Sequence, residues 1–510
     1  MKRLYADNDW LVINKPTGLS SQAAFAGDVG VEEWIRLNWS EGCHIPSRLD
    51  KGTSGVMVLA RHPRAARQAE EWHRAGAVHK EYIFLSKSDA RRKTGADSWT
   101  IATPIGGKSA ETRFEKIGPA GEFFLYRALL SKGRLHQIRR HAKESGAAIL
   151  GDSEYGGASF PRLALHCKSV TWPGFEKPFQ APVPPSLGSL GDFKTDPGFL
   201  ASFDRRLSFY EGITDAFRLL HRGEIKSLDA AIDFYAGFLC VWIYEEGVST
   251  HDVLERLDPH LKKLRHVYGA VGGVIKLSHK NPHARGLVDK SISFGETPPP
   301  YFEVHEHGLA YRVTLTEDQH VGLFLDQRDN RRRVRDLAKG SRVANLFSYT
   351  SSFSVAAAKG GCDAVFSVDA ATPCLETGKA NFELNKLSDG VFLKRDVRDW
   401  LTAQRKKVAK EGASALFDIV ICDPPTFSTT KLGGAFSVTE EWTRLADDVR
   451  GILKKDGVAF FSTNHREAGS DTYRRPLEKY FSKVLTIPPP LDFPVTDQTL
   501  EAVKLFLCRV

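Results

Sequence analysis

A chain of 510 residues is longer than a single hydrophobic core supports and is expected to divide into two to four domains. Its 42% hydrophobic and 26% charged residues are those of an ordinary globular protein, which excludes a disordered or collagen-like chain. The net charge of +9 favours a polyanionic partner, although so modest an excess over this length is also compatible with an incidental surplus. Seven cysteines at positions 43, 167, 240, 362, 374, 422 and 508 form no CxxC pair and are odd in number. They point to a reducing compartment, with neither a disulfide framework nor a zinc ribbon. The N-terminal run MKRLYADNDWLVINK interleaves charges with apolar residues, and no apolar stretch reaches the ~18 residues of a membrane span. A cytoplasmic location without membrane or metal is the expectation.

In chain order, the first informative segment is RLDKGTSG, residues 48 to 55, read as a strand-to-loop stretch that sets Asp50 between an arginine and a Gly/Thr/Ser-rich loop. A carboxylate there is a turn cap, a metal ligand or a nucleophile, and those residues alone leave all three open. Upstream lies LVINKPTGLS with Lys15. Downstream lie VHKEYIFL with Tyr82 and GRLHQIRRHAKESGAAILGDSEYGG with Arg139 and Asp152. In this order and spacing the four segments resemble the RluA-type pseudouridine synthases over roughly residues 1 to 187. The resemblance implies an α+β fold with a mixed antiparallel sheet and no diffusible cofactor. It further implies that Asp50 is catalytic, that Tyr82 packs on the target base and that Arg139 pairs with Asp50. Lys15 and Arg48 are read as substrate contacts. Ser47 departs from the pattern, since the family usually has His before the RLD.

The chemistry suits these residue types. Uridine isomerisation breaks the bond from ribose C1′ to N1, turns the uracil and reattaches it through C5. Asp50 would attack C1′ or remove a ribose proton, and either route needs an ionised carboxylate, which a neighbouring guanidinium favours. The target lies in stacked RNA, so the nucleotide must be flipped out, and an aromatic face such as Tyr82 can hold it. The plainer alternatives are a structural salt bridge and Tyr82 as half-buried strand filler.

A Pro-rich stretch from Trp172 to Phe193 closes the first region, and residues 188–227 are read as linker and helix, with ASFDRRLSFYEGITDAFRLLHRG amphipathic. Residues 228–300 form a small α+β middle domain: strands in AIDFYAGFLCVWIYEEG and AVGGVIKLSHK flank a helix in VSTHDVLERLDPHLKKLRHV. LSHKNPHARG in this domain is either a solvated loop or an RNA contact.

From about residue 301 a second pattern begins. SRVANLF reads as a strand, SYTSS as a tight loop, FSVAAAKGG as a helix start and CDAVFSVDA as a strand ending in Asp369. This succession suits an adenosine-bearing ligand, although the loop has serines where many such loops have glycine. VFLKRDV with Asp396, FDIVICDPPTFS with Asp423, and VRGILKKDG leading into VAFFSTN complete it. Residues 301–510 resemble a class I S-adenosylmethionine methyltransferase, most closely the RlmI and RlmK type acting on large-subunit rRNA. That implies an α/β, Rossmann-like, seven-stranded fold and S-adenosylmethionine as cofactor. It places Asp369 at the cofactor ribose, Asp396 beside the adenine, and the loop with Asn345, Ser348, Tyr349 and Thr350 around the methionine part. Asp369 and Asp396 could instead cap helices. The double proline holds carbonyls in fixed directions. Asp423 orients the target base and also lines the cofactor site, and Phe427 either stacks on the base or packs under the loop.

Methylating cytosine C5 generally needs a cysteine thiolate. Family members that do so have Cys in the motif that here reads FSTNHRE, and Cys422 is expected to be buried and inert. A purine ring or exocyclic nitrogen is the preferred target. RDNRRRVRD, residues 328–336, concentrates five arginines, with Arg328 read as substrate-binding. Phosphate contact and a solvated helix face are both open for that run.

Together these readings describe a multidomain, bifunctional RNA-modification enzyme, with its substrate ribosomal RNA, 23S in particular, and tRNA also open for the synthase half. The competing readings are an RNA-binding or ribosome-assembly factor with one active domain, and a methyltransferase for other substrates.

Overall fold

The computed structural model describes residues 1–23, 30–188, 204, 206, 210, 212–224, 229–245, 248–277, 291–316, 321–388, 390–429, 435–465, 468–493 and 504–510. The chain separates into two compact units, Met1–Ile213 with Pro259–Lys263, and Thr214–Asp258 with Leu264–Val510. All seven cysteines are free thiols.

The first unit is built on a nine-stranded sheet. Its strands lie in the order Lys2–Ala6, Trp10–Lys15, Ser54–Ala60, Leu165–Thr171, His79–Ser86, Phe123–Leu130, Thr112–Ala120, Ser98–Ile101, with Phe179–Gln180 paired on Leu165–Thr171. WLVINK and SGVMVLA are nearly continuous apolar runs because both are buried along almost their whole length. All pairings are antiparallel except that of Ser54–Ala60 with Leu165–Thr171. At that junction Gly55 has φ +114° and lies so close to the neighbouring strand that a Cβ would sit 2.1 Å from the Cys167 carbonyl oxygen. Gly55, the second glycine of RLDKGTSG, therefore lets two strands meet. The octet itself is a turn that runs into the strand Ser54–Ala60, the reverse of the expected strand-to-loop order.

In the second unit a five-stranded sheet runs Ala216–Leu220, Ala230–Tyr235, Phe238–Ile243, Gly272–Leu277, Ser291–Gly295; between its third and fourth strands the chain forms the helix Thr250–Tyr268, of which Pro259–Lys263 are counted with the first unit. Its first strand falls where the amphipathic pattern pointed to a helix. AFRLL is buried at four of five positions and pairs antiparallel with Ala230–Tyr235, and a short apolar run paired on its edge becomes a strand. Most of LSHKNPHARG lies outside the described residues.

After a hairpin, Phe302–Glu306 and Leu309–Val313, comes a seven-stranded sheet. Its order is Gly390–Lys394, Ala364–Asp369, Arg342–Leu346, Phe417–Cys422, Leu453–Thr463, Lys504–Arg509, Lys483–Ile487. The first five strands are parallel and Lys504–Arg509 pairs antiparallel with both neighbours. This is the doubly wound α/β sheet expected, and strand order reverses between Arg342–Leu346 and Phe417–Cys422. Open sheets of this kind bind ligands outside the carboxyl ends of the strands at such a switch point. Asp369, Asp423 and the loop after Leu346 all lie at those ends. A small-residue face on the helix Ser352–Lys359 and Gly360, where a Cβ would meet the Arg335 carbonyl at 2.1 Å, bring the helix Arg328–Leu337 against it. No helix among the described residues is long and apolar enough to cross a membrane.

Candidate active sites

In the first unit the three residues singled out by sequence line one cavity of about 940 Å³. Asp50 sits in the turn before Ser54–Ala60, Tyr82 on the strand His79–Ser86, and Arg139 in the first turn of the helix Gln137–Glu144. Arg139 Nη1 stands 3.8 Å from one Asp50 oxygen, and His136 Nε2 stands 3.9 Å from the other. The tight partner of Arg139 is Asp152, however. Its Nε and Nη2 donate to the two Asp152 oxygens at 2.7 and 2.8 Å, and Nη2 also reaches Glu154 at 3.0 Å. Hydrogen bonding to Asp152 raises the guanidinium pKa, so the charge is fixed and its third nitrogen is aimed at Asp50. Arg48, Lys51, Arg74, Lys80, Lys132 and Arg134 also line the cavity, where Asp50 is the one acidic side chain among the described lining residues. Such a rim suits phosphates.

Tyr82 is 6% exposed, and burial pushes its hydroxyl pKa well up, so it presents a neutral ring. Ser47, in the place of the family's histidine, accepts a hydrogen bond from Lys80 Nζ at 2.7 Å. Burial lowers the Lys80 pKa. Lys15 is not a substrate contact. It is fully buried, and Nζ donates to the carbonyls of Pro16 at 2.9 Å and Leu19 at 2.7 Å, with Lys51 O at 3.4 Å. Burial lowers its pKa to about 7, and its place is under the Asp50 turn. Arg48 is exposed on the cavity wall. His136, Asp152, Glu154 and Lys80 complete the site. Of these, sequence reasoning gave a role to none, although His136 stands in the quoted GRLHQIR three residues before Arg139.

The second unit gathers its polar groups at the sheet switch point. The loop after Arg342–Leu346 puts three non-glycine residues in the left-handed region at alternate positions: Phe347 at φ 54°, Tyr349 at 47° and Ser351 at 59°. Each costs roughly 1 kcal/mol relative to glycine. Strands on both sides, the Tyr349 N–H donating to Asp369 at 2.8 Å and Thr350 Oγ1 donating to Gly322 O at 2.6 Å hold the loop in this shape. The glycine-loop geometry is present without the glycines.

The loop serines fit a polar cofactor. Ser348 Oγ and Ser351 Oγ are buried without a hydrogen-bond partner among the described residues. Asp369 accepts the backbone N–H groups of Tyr349 and Ala371, one on each oxygen, has further lone pairs to accept with, and is raised in pKa by burial. Two expected contacts differ. Asn345 Nδ2 donates to Ser354 Oγ at 3.0 Å, which lies 2.7 Å from Ser367 Oγ, so its side chain is spent inside the scaffold. Asp396 caps the helix Val397–Glu411 and is closed by Arg398, which donates from its backbone N–H, Nε and Nη2, so the capping alternative describes its carboxylate. Hydrogen bonding from Arg398 lowers its pKa.

Asp423 accepts from Ser462 Oγ at 2.5 Å and Gln327 Nε2 at 3.3 Å. Burial raises its pKa to about 6, with the nearby Asp326 carboxylate adding to the rise. The Asp326 pKa is itself raised by burial, and its Oδ1 has no hydrogen-bond partner among the described residues. Thr426 Oγ1 donates to Asn464 Oδ1 at 2.7 Å, and Phe427 is 63% exposed, so it is not packed under the loop. The Cys422 thiol is fully buried and pushed well above its usual pKa. The arginine run does not form a phosphate face. Arg328 and Arg331 are 0% and 1% exposed and pair with Asp492 and Glu306, because buried carboxylates on other elements draw them inward. Asp326, Gln327 and Ser462 are site residues that sequence reasoning did not assign.

Residues 230–505 match the family model described as S-adenosylmethionine-dependent methyltransferase, and residues 9–144 match that of RNA pseudouridylate synthase. A ribosomal RNA large subunit methyltransferase of Deinococcus radiodurans is 32% identical over 226 residues, 42% of this chain and 52% of the relative. A putative ribosomal RNA large subunit methyltransferase of Bacillus subtilis is 33% identical over 279 residues, 53% of this chain and 66% of the relative. A solved putative methyltransferase complexed with SAH is 30% identical, with a TM-score of 0.52 over 61% of this chain and 80% of that one. The chain spans between 21% and 66% of the length of curated relatives such as these.

Proposed function

The chain belongs to the S-adenosylmethionine-dependent methyltransferase family and carries a second, RNA pseudouridylate synthase segment; from that premise we propose a bifunctional enzyme that isomerises uridine and methylates a base of large-subunit ribosomal RNA. The observation that carries the first half is the convergence of Asp50, Tyr82 and Arg139 on one cation-rimmed cavity. Asp50 acts at the ribose, by attack on C1′ or by removing a ribose proton. The C1′–N1 bond breaks, the uracil turns against the Tyr82 ring, and the C1′–C5 bond forms as Asp50 releases C1′ or returns the ribose proton; the proton on C5 then leaves and N1 takes one up. Arg139, anchored by Asp152, orients the Asp50 carboxylate, and the lysines and arginines of the rim take the phosphates. Transfer RNA is a second candidate for this half.

S-adenosylmethionine, when bound, supplies a methyl group on a sulfonium. Asp369 would hold its ribose, and Ser348 and Ser351 would offer hydroxyls that have no hydrogen-bond partner among the described residues. Asp423, oriented by Ser462 and Gln327, accepts a hydrogen bond from the target amine, and Phe427 stacks on the base. The target class is a purine nitrogen, which would need no enzyme nucleophile, since burial holds the Cys422 thiol protonated. Mapping pseudouridines and methyl groups on ribosomal RNA from cells with and without this gene tests both halves. Loss of one pseudouridine and one N-methylated purine is the expected result, and unchanged maps reject the proposal.

A further inference from the structure

A uridine that leaves its stack opens a gap, and proteins that extrude or unstack bases frequently fill such gaps with an apolar side chain. Leu135 is 66% exposed and lines the cavity that contains Asp50 and Tyr82. One exposed leucine is ordinary in itself. This one stands on a fixed turn. The Gln137 N–H donates to Arg134 O at 3.1 Å, the Arg134 N–H donates back to Gln137 Oε1 at 2.9 Å, and Arg134 Nε donates to Ser109 O at 3.1 Å. The next residue, His136, has φ 54°, lies 3.0 Å from the Tyr155 hydroxyl through Nδ1 and faces Asp50 through Nε2. Lys132 and Arg134 flank Leu135 with charges suited to the phosphates on either side of a displaced base.

We propose that Leu135 is the wedge that enters the RNA base stack as the target uridine swings out to Asp50, filling the space the base vacates and holding the opened conformation. The proposal rests on the pseudouridine synthase reading of this unit. A wedge side chain matters only where there is a stack to hold open, so its effect depends on the structure of the RNA. Leu135 is here a positioning residue, since it acts on neighbouring bases and not on the reacting atoms.

The test uses the full chain and tritium release from uridine labelled at C5. One substrate is a folded large-subunit rRNA transcript, and the other is a short unstructured oligonucleotide carrying the same target uridine, located by mapping. Leu135→Ala lowers kcat/KM on the folded transcript about tenfold, the loss expected for most of one buried leucine contact. On the oligonucleotide it changes kcat/KM by less than about twofold, because an unstacked base costs little to extrude. Leu135→Met, which keeps the apolar length, restores most of the activity on the transcript. Equal losses on both substrates, or no loss on the transcript, overturn the wedge while wild-type activity leaves the synthase reading standing. A wild-type enzyme that releases no tritium from either RNA overturns the synthase reading and the wedge with it.

Discussion

The two units place the same side chain in opposite surroundings. Asp50 stands opposite Arg139 and His136 in an open cavity rimmed by lysines and arginines. Asp423 accepts from Ser462 and Gln327, with a second carboxyl, Asp326, nearby and burial lifting its pKa to about 6. Environment, not residue type, divides the roles. A carboxylate among cations suits work on a sugar that carries phosphates. One that holds its proton up to about pH 6 suits a target amine, whose proton it receives at neutral pH.

The largest expected effect breaks one half and spares the other. Asp50→Ala removes the carboxylate proposed to act at the ribose and should lower pseudouridine formation by at least about 10⁴-fold, with methyl transfer unchanged. Tritium release and methyl incorporation measured on one preparation check this. Pseudouridine formation surviving in the variant would end the assignment of Asp50.

Asp423→Asn does the converse, at about 10²-fold in methyl transfer, the size of one lost oriented acceptor. It also has a stability signature of definite sign. The folded pKa is raised above 3.8, so the site costs nothing in strong acid; the penalty builds as pH rises from about 3.8 to about 6 and is constant above. The neutral amide escapes it. Asp423→Asn therefore stabilises the methyltransferase unit by roughly 1–3 kcal/mol at pH 8 and by almost nothing at pH 4. Thermal unfolding at the two pH values measures the difference. Wild-type methyl transfer should rise with pH through about 6.

Asp369→Ala removes a carboxylate that shapes the loop through Tyr349 and that we propose receives the cofactor ribose. It should weaken S-adenosylmethionine binding about tenfold or more in calorimetry, leaving pseudouridine formation untouched.

Most of this architecture was legible because both sheets write it plainly. NLF, FSVD and DIVICD are apolar runs bounded by loops, and the family segments around Asp50 converge on one cavity. What stayed hidden depends on distant partners. Nothing in RDNRRRVRD shows that Asp492 and Glu306 will draw Arg328 and Arg331 inside, nor does KPTGLS show that Lys15 will be spent on carbonyls. AFRLL becomes a strand only because Ala230–Tyr235 is there to pair with it. The cofactor loop was hardest, since left-handed backbone without glycine leaves no compositional trace.

That loop carries the smallest prediction, and it sharpens the contrast between the units. Ser351 has a left-handed backbone and a buried hydroxyl with no hydrogen-bond partner among the described residues. Its backbone groups are already used: N–H donates to Ser348 O at 2.7 Å and its carbonyl accepts from Val355 N–H at 3.0 Å, and glycine keeps both. Ser351→Gly relieves the strain and removes the orphaned hydroxyl, so the protein alone should gain about 1 kcal/mol. If that hydroxyl is held ready for the cofactor, the same change weakens S-adenosylmethionine binding. Melting temperature and affinity then move in opposite directions, whereas a gain in melting temperature with unchanged affinity would reduce Ser351 to a tolerated stand-in for glycine. Strain that a bound ligand offsets is a cost carried for function, and the methyltransferase unit would then hold at Ser351 what the first unit, built around Arg139 and Asp152, obtains from an ion pair.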